Sequence, residues 1–581
     1  LRTHCTIQRR QALAMDESEY LGRVRALWAR AWPVDTPREP HYPIGRAPLT
    51  DYLRHWARTT PDKPAIHFYG HDTTFAQLDD LSDRFAALLA QHGIGAGDRV
   101  AVFLSNCPQF NAVFFGILKL GAVYVPISPL SQRVELMHAL TDATPRAIVA
   151  LDRLMPLVSD VRAETSLEHV FVTRYADVLP AQPTLPLPAM LTEPPLDCAD
   201  AIDLMPALAR TTPISLPPAS LDAAAALNYT GGTTGLPKGC IHTQGDMVDM
   251  AAAFSAVSLR ADADTVMLSF YPQFWIAGEN TGLIFPAFLG VPLVLLARWD
   301  AEAFMAGVQR YRVTNGSMLV DSAAEVMAHP RVHEYNLRSL RHTGVSSFVK
   351  KLNPEYRRAW RELTGSMMAE SAWGMTETQT CNSFTVGMQD DDFDLRSQPI
   401  FVGLPVPGTD FKICDFDTHE LLPIGAEGEL CVRTPTLLKG YWNKPEATAQ
   451  TLRNGWFHTG DIGCIDEYGY VHYLGRRKEM LKVNGMSVFP AEIEAMLGKH
   501  PAILGSAVVG RADEQRGQLP VAFVMLRPEA VGTLDDATLT NWCRENMAVY
   551  KVPIVRIVDA LPLTATGKVR KQDLAPLAEQ L

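Results

Sequence analysis

The stretch Tyr229-Thr230-Gly231-Gly232-Thr233-Thr234-Gly235-Leu236-Pro237-Lys238-Gly239 decides how this chain is read. Its glycines let a backbone approach a ligand closely, its threonines add hydroxyl donors, and Lys238 adds positive charge. That inventory suits an oligophosphate. The apolar run Ala223 to Leu227 just upstream predicts the end of a buried strand. The loop then falls at a strand tip, where α/β proteins commonly bind ligands. The competing reading is a Gly/Thr surface turn. A Walker A loop is excluded, because Lys238 follows proline and no Gly-Lys-Ser/Thr occurs in the chain.

Outward from this loop, the 581 residues exceed one simple core, and two to four folding units are expected. Hydrophobic residues make up 47% and charged residues 20%, the balance of an ordinary globular protein. A net charge of −11 argues against nucleic acid as a partner, since phosphate neutralisation needs a basic face. Nine cysteines with no C-x-x-C pair fit a reducing cytoplasm and outline no zinc or disulfide framework. The longest uncharged run, Thr281 to Ala297, is interrupted by Pro286, Gly290 and Pro292 and is too short to span a membrane. It reads as a buried turn joining helix to strand. Met15 to Trp32 predicts a helix, and residues 1–14 read as a leader or upstream segment.

From Leu49 helices and strands alternate. Phe75, Leu78, Leu81 and Phe85 predict an amphipathic helix over Thr74 to His92, and the strand Val100 to Leu104 follows a glycine-rich turn. A helix over Pro108 to Leu120, closed by Gly121, leads to the strand Ala122 to Ile127. The expected fold class is α/β: a large N-terminal domain of parallel-rich sheets layered with helices, plus a small mobile α+β C-terminal domain. The proline-dense stretch Ala176 to Ala219 reads as a surface connection with little regular structure. A second boundary falls near Gly475-Arg476-Arg477-Lys478-Glu479. This divides the chain into 15–474, a hinge at 475–480, and 481–581, where Pro490, Ile493, Met496 and Leu497 predict a helix.

Four further segments fall in order behind the loop. They are Trp373-Gly374-Met375-Thr376-Glu377-Thr378, Trp456-Phe457-His458-Thr459-Gly460-Asp461, Lys482-Val483-Asn484-Gly485 and Leu561-Pro562-Leu563-Thr564-Ala565-Thr566-Gly567-Lys568. With the glycine-rich loop, this order closely resembles the adenylate-forming superfamily of acyl-CoA synthetases, luciferases and peptide-synthetase adenylation domains. It is most like a bacterial-type fatty-acid or aryl acyl-CoA ligase. The resemblance runs from about Leu49 to about Leu574 and implies use of ATP, Mg²⁺ and coenzyme A.

By that resemblance, Thr230, Gly231, Gly232, Thr233, Thr234, Gly235 and Lys238 cradle the ATP phosphates. The family usually has serine where Gly231 stands. Trp373 packs on the adenine where tyrosine is commoner, Gly374 belongs to the same segment, Thr376 bonds phosphate, and Glu377 holds Mg²⁺. Asp461 accepts the ribose hydroxyls, Arg476 also meets the ribose, and Lys478 is the hinge residue. Lys568 reaches the acyl carboxylate and α-phosphate, where a placed ammonium offsets developing charge. Gly485 lets a thin thiol arm pass the backbone for the second half-reaction.

The acid pocket is expected along Phe270 to Glu279 and Gly344 to Phe348, with Gln273, Trp275, Gly278 and Ser346 as its candidate residues. Trp275 stands where related ligases often carry histidine, and Gly344-Val345-Ser346-Ser347-Phe348 departs from the family's Gly-Gly-Ala. Glu279 is expected to be structural or at the rim. An aromatic, uncharged lining favours an apolar or aryl acid. With 13 residues after Lys568, a fused carrier domain is not expected, which makes coenzyme A the leading acceptor. A second reading is an adenylating enzyme that loads a separate carrier protein or oxidises its adenylate. A third is a non-catalytic nucleotide or acyl sensor. A homodimer is an open alternative for the assembly.

Overall fold

The computed structural model describes residues 16–230, 237–370, 373–397, 400–484, 486–564 and 566–581. The leader reading of residues 1–14 lies outside them.

Two seven-stranded, mostly parallel sheets build the large N-terminal domain. One runs, edge to edge, through Ile202–Asp203, His169–Thr173, Ala147–Leu151, Arg99–Phe103, Val123–Pro126, Ala224–Tyr229 and Gly239–Thr243. Its last pair is antiparallel, with Tyr229 opposite Gly239. The glycine-rich loop therefore joins the two arms of a hairpin, and the helix Gln244–Phe254 comes one strand later. The other sheet orders Met367–Glu370, His342–Ser346, Asn315–Leu319, Met267–Ser269, Leu293–Leu295, Pro64–Phe68 and His71–Thr74.

Pro108–Leu120 is buried along its whole length and ends at Gly121, whose φ of 75° closes the helix in the left-handed conformation. It packs on Phe75–Gln91, which starts in a capping box of Thr74 and Gln77. The contact is close: a Cβ on Gly116 would meet Ser82 O and Phe85 Cδ1 at 2.8 Å. Lys119, buried in this interface, is paired with Asp79 at 2.5 Å and Asp83 at 2.7 Å. A buried cation persists only with such partners.

A third, antiparallel sheet carries Ser383–Phe384, Ile400–Pro405, Val471–Arg476, Trp456–Ile465, Gly428–Arg433 and Asp410–Cys414. The N-terminal helix Glu17–Ala31 packs Tyr20, Leu21, Val24 and Trp28 into its core. The small C-terminal domain has a fourth sheet, Met486–Val488, Leu481–Val483, Gly517–Leu526 and Ile503–Asp513, with Ile554–Ile557 parallel to Gly517–Leu526. The helix Pro490–Leu497 packs against it.

Two expectations are refined. Ala176 to Ala219 contains the strand Ile202–Asp203, paired with His169–Thr173, and the helix Leu204–Arg210. Beyond Pro195 the prolines thin out, and Leu204, Ala207 and Leu208 recur at helical spacing, so they bury against Phe75–Gln91. Thr281 to Ala297 does join helix to strand, through a π-helical turn Asn280–Ile284, the helix Phe285–Leu289 and Gly290 at φ 67°. Among the described residues no helix is long and apolar enough to cross a membrane.

Candidate functional site

A cleft of about 2690 Å³ separates the two domains and is lined from both sides. Thr230, Lys238, Trp373, Gly374, Thr376, Glu377, Asp461, Arg476, Lys478, Trp275 and Lys568 all face it. Gly231, Gly232, Thr233, Thr234, Gly235 and Gly485 lie outside the described residues. The base of the glycine-rich loop is closed on itself: Thr230 N donates to Lys238 O at 3.0 Å, and Lys238 N to Thr230 Oγ1 at 3.4 Å.

Lys238 Nζ sits 4.0 Å from the Tyr441 ring centroid, and the Tyr441 hydroxyl donates to Glu377 Oε1 at 2.9 Å. A cation, a ring and a carboxylate thus stand in series along one wall. Burial, and then the Glu377 charge, push the Tyr441 phenol far above its ordinary range, so it remains a donor. The segment that carries Glu377 is held from behind: buried His242 Nε2 donates to Thr376 O at 2.7 Å, and Leu438 N to Glu377 O at 2.8 Å. Gln379, Thr380 and Cys381 follow with φ of 56°, 59° and 55°. Three successive non-glycine residues in the left-handed region store strain beside the cleft. Gly374 is what permits this fold-back, because a Cβ there would stand 2.2 Å from Cys381 N.

Trp373 Nε1 donates to Asp461 Oδ2 at 2.8 Å, and Arg476 Nε reaches Asp461 Oδ1 at 2.8 Å. Asp461 and Arg476 are direct cross-strand partners, so the sheet register itself sets this pair. Burial raises the Asp461 carboxyl to about 6, against the opposing pull of Arg476 and Trp373. Lys478 lies in the turn Arg477–Glu479 that leaves this strand. Glu479 reaches Lys571 at 3.0 Å, which also meets Glu494 at 2.9 Å, tying the turn to two helices of the small domain.

From the small domain, Lys568 Nζ points between Phe348 and Trp275, 5.4 Å and 5.9 Å from their ring centroids. Its turn is wired by Thr564 N donating to Lys568 O at 2.7 Å and Lys568 N to Thr564 Oγ1 at 3.1 Å. Gly567, at φ 82°, brings that turn onto the large domain, where a Cβ would lie 3.1 Å from Leu319. Desolvation by the cleft walls, helped by Arg476, lowers the Lys568 pKa from its ordinary value, while Asp461 and Glu377 oppose the shift. Asn484 and Met486, which flank Gly485, do not line the cleft.

The expected acid-pocket residues divide. Trp275 faces the cleft beside Phe348. Gln273 is fully buried, its amide donating to Asn111 Oδ1 at 2.9 Å and Gly282 O at 3.1 Å. Gly278 permits a close crossing, since a Cβ would meet Pro272 O at 1.9 Å. Ser346 ends its strand just behind the cleft residue Ser347. Glu279 is fully buried and accepts from Gln379 Nε2 at 3.1 Å, which makes its position interior, away from any rim. Burial pushes its carboxyl up to about 7. Sequence reasoning did not reach Tyr441, His242 or Glu370. Glu370 accepts from Ser347 N at 2.8 Å and Ser347 Oγ at 2.6 Å, and burial raises its carboxyl to about 7.

The arrangement concentrates cations, hydroxyls and acidic oxygens around an interdomain cleft with an aromatic wall, a donor set that suits phosphate-centred chemistry. Residues 53–442 match the AMP-binding enzyme family, and residues 492–568 its C-terminal domain. A long-chain-fatty-acid–CoA ligase of Bacillus subtilis is 31% identical over 94% of this chain and 97% of its own. An indoleacetate–CoA ligase of Aromatoleum aromaticum is 32% identical over 91% of this chain and 98% of its own. The crystal structure of an anthranilate CoA ligase with anthranoyl-AMP superposes with a TM-score of 0.79 at 26% identity, covering 94% of this chain and 98% of that one. ATP-bound MatB from Rhodopseudomonas palustris gives 0.77 at 26% identity, covering 91% of this chain and 99% of that one. The chain belongs to the AMP-binding enzyme family.

Proposed function

We propose that this protein is an ATP-dependent acyl-CoA ligase for an apolar acid, either a medium- or long-chain fatty acid or an aryl acid. The observation that carries the reading is the meeting of Lys568, from the small domain, with Glu377, Asp461 and Arg476 in one cleft. In the first half-reaction the acid carboxylate attacks the α-phosphorus of ATP, the bond to the β-phosphate oxygen breaks, and pyrophosphate leaves. Lys568 offsets the anionic charge gathered there, and Lys238 steadies the phosphates. Asp461 with Arg476 orients the ribose, and Trp373 holds Asp461. In the second half-reaction the coenzyme A thiol attacks the acyl-adenylate carbonyl, AMP leaves, and the thiol proton passes to solvent.

Glu377 fits Mg²⁺: its carboxylate faces the cleft, its Oε1 is oriented by Tyr441, and hard oxygen donors suit that ion. When bound, Mg²⁺ supplies charge neutralisation for the triphosphate.

We take 15–474 and 481–581 as the moving bodies, with 475–480 as the hinge. The reach of Lys568 into the cleft between Trp275 and Phe348, and the position of Asn484 and Met486 away from the cleft, support a conformation suited to adenylation. A cytoplasmic setting agrees with the free thiols of the eight described cysteines. The test is ATP–pyrophosphate exchange with candidate acids, followed by AMP release with and without coenzyme A. Exchange with AMP release that coenzyme A does not accelerate would overturn the ligase reading in favour of a carrier-loading or adenylate-oxidising enzyme.

A further inference from the structure

Away from Glu377, another part of the cleft wall gathers a different donor set. On the third sheet, Glu429 and Cys431 alternate onto one face of Gly428–Arg433, and Cys431 stands directly opposite His458 of Trp456–Ile465. His458 Nδ1 lies 2.8 Å from Glu429 Oε2 and 3.4 Å from Cys431 Sγ. A turn after Asp410–Cys414 brings His419 over this face, its ring 5.0 Å from that of His458. The turn is held by its own bonds: His419 N donates to Asp415 O at 3.0 Å, while Asp417 N and Thr418 N both donate to Asp415 Oδ1 at 2.9 Å. One ligand atom each from His419, Glu429 and His458 lies within 4.8 Å of the others.

We propose that His419, Glu429 and His458 form a transition-metal site of the zinc class, facing the cleft. Two imidazoles and one carboxylate are a zinc donor set, which selects Zn²⁺ over the Mg²⁺ that suits Glu377. In a tetrahedral zinc site the donor atoms stand roughly 3.3–3.8 Å apart. The Glu429–His458 pair, at 2.8 Å, needs to open by about half an ångström. Glu429 is pre-oriented, because its Oε1 accepts from Gly460 N at 3.0 Å. Binding displaces to solvent the proton shared between His458 Nδ1 and Glu429 Oε2 as the metal bonds form. Gly460 directly precedes Asp461, so the metal cross-links the turn and two strands next to the Asp461–Arg476 pair.

The test uses the full chain, stripped with chelator and titrated with Co²⁺, then with Zn²⁺ in competition. The site predicts uptake of one equivalent with the visible absorption of low-coordinate Co²⁺. It also predicts displacement by Zn²⁺ and none by excess Mg²⁺. His419→Ala, in a turn outside the sheet, should weaken uptake by at least the roughly 10–100-fold that loss of a supporting contact costs a metal site. Cys431→Ser, behind His458 and outside the ligand set, should change uptake far less than His419→Ala. Absence of stoichiometric uptake, displacement by Mg²⁺, or equal affinity in wild type and His419→Ala would overturn the proposal.

Discussion

Trp373 and Asp461 are joined by an indole N–H donating to a buried carboxylate at 2.8 Å. The tryptophan thereby holds in place the acid that faces Arg476, besides presenting a ring to the cleft. A phenylalanine keeps the ring and removes the bond.

Trp373→Phe is therefore expected to raise the KM for ATP by roughly 10–100-fold, the loss of about 1.5–3 kcal/mol for a hydrogen bond to a charged group. The pH profile carries a second signature. Burial pushes the Asp461 carboxyl up to about 6, and the ribose contact proposed for it uses the charged form, so KM for ATP should climb as pH falls through 6. Trp373 favours that charged form, so its loss should move the limb to higher pH. Pyrophosphate exchange measured against pH checks both, and an unmoved limb would contradict the assignment.

Lys568→Ala should slow adenylation by about 10²–10³-fold, or about 3–4 kcal/mol in the barrier. Conversion of supplied acyl-adenylate to thioester should change much less. Gly485→Leu should show the opposite pattern. Single-turnover assays of each half-reaction make the comparison, and equal damage to both steps by Lys568→Ala would count against domain rotation.

Tyr441→Phe leaves the ring under Lys238 but removes the donor on Glu377. Adenylation should fall about tenfold, and the Mg²⁺ concentration for half-maximal rate should rise, since Glu377 loses its orientation. A variant with wild-type Mg²⁺ dependence would show that this hydrogen bond does not matter.

Glu279→Gln tests the buried carboxyl through stability. Burial raises its folded pKa from 4.5 to about 7. The folded state then binds the proton more tightly than the unfolded chain, so stability is greatest below 4.5 and falls as pH rises to 7. Glutamine can still accept from Gln379 and carries no charge. The variant should melt higher than wild type at pH 8, with the gap closing toward pH 5. A gap independent of pH would mean that the carboxyl is not titrating in this range.

The helices Phe75–Gln91 and Pro108–Leu120 were legible because Thr74, Pro108 and Gly121 punctuate them locally. The helix Leu204–Arg210 was obscured by the prolines around it, since its apolar face becomes informative once its partner helix is known. At the site, motif order brought out Asp461, Arg476 and Lys568 as candidates. It did not bring out Tyr441, which meets Glu377 from 64 residues away, or the Trp373–Asp461 bond across 88. Such contacts are made by sheet register and packing between distant segments, and no local pattern encodes them. Glu279 was placed between two roles by its helical offset from Trp275, and its full burial with Gln379 favours the interior one.

The most direct test of the central claim is ATP–pyrophosphate exchange across fatty, branched and aryl acids, with AMP release followed in the presence and absence of coenzyme A. The account predicts exchange with at least one apolar acid and AMP release that coenzyme A accelerates. Exchange with no coenzyme A stimulation of AMP release, or no exchange with any acid of the panel, would contradict it.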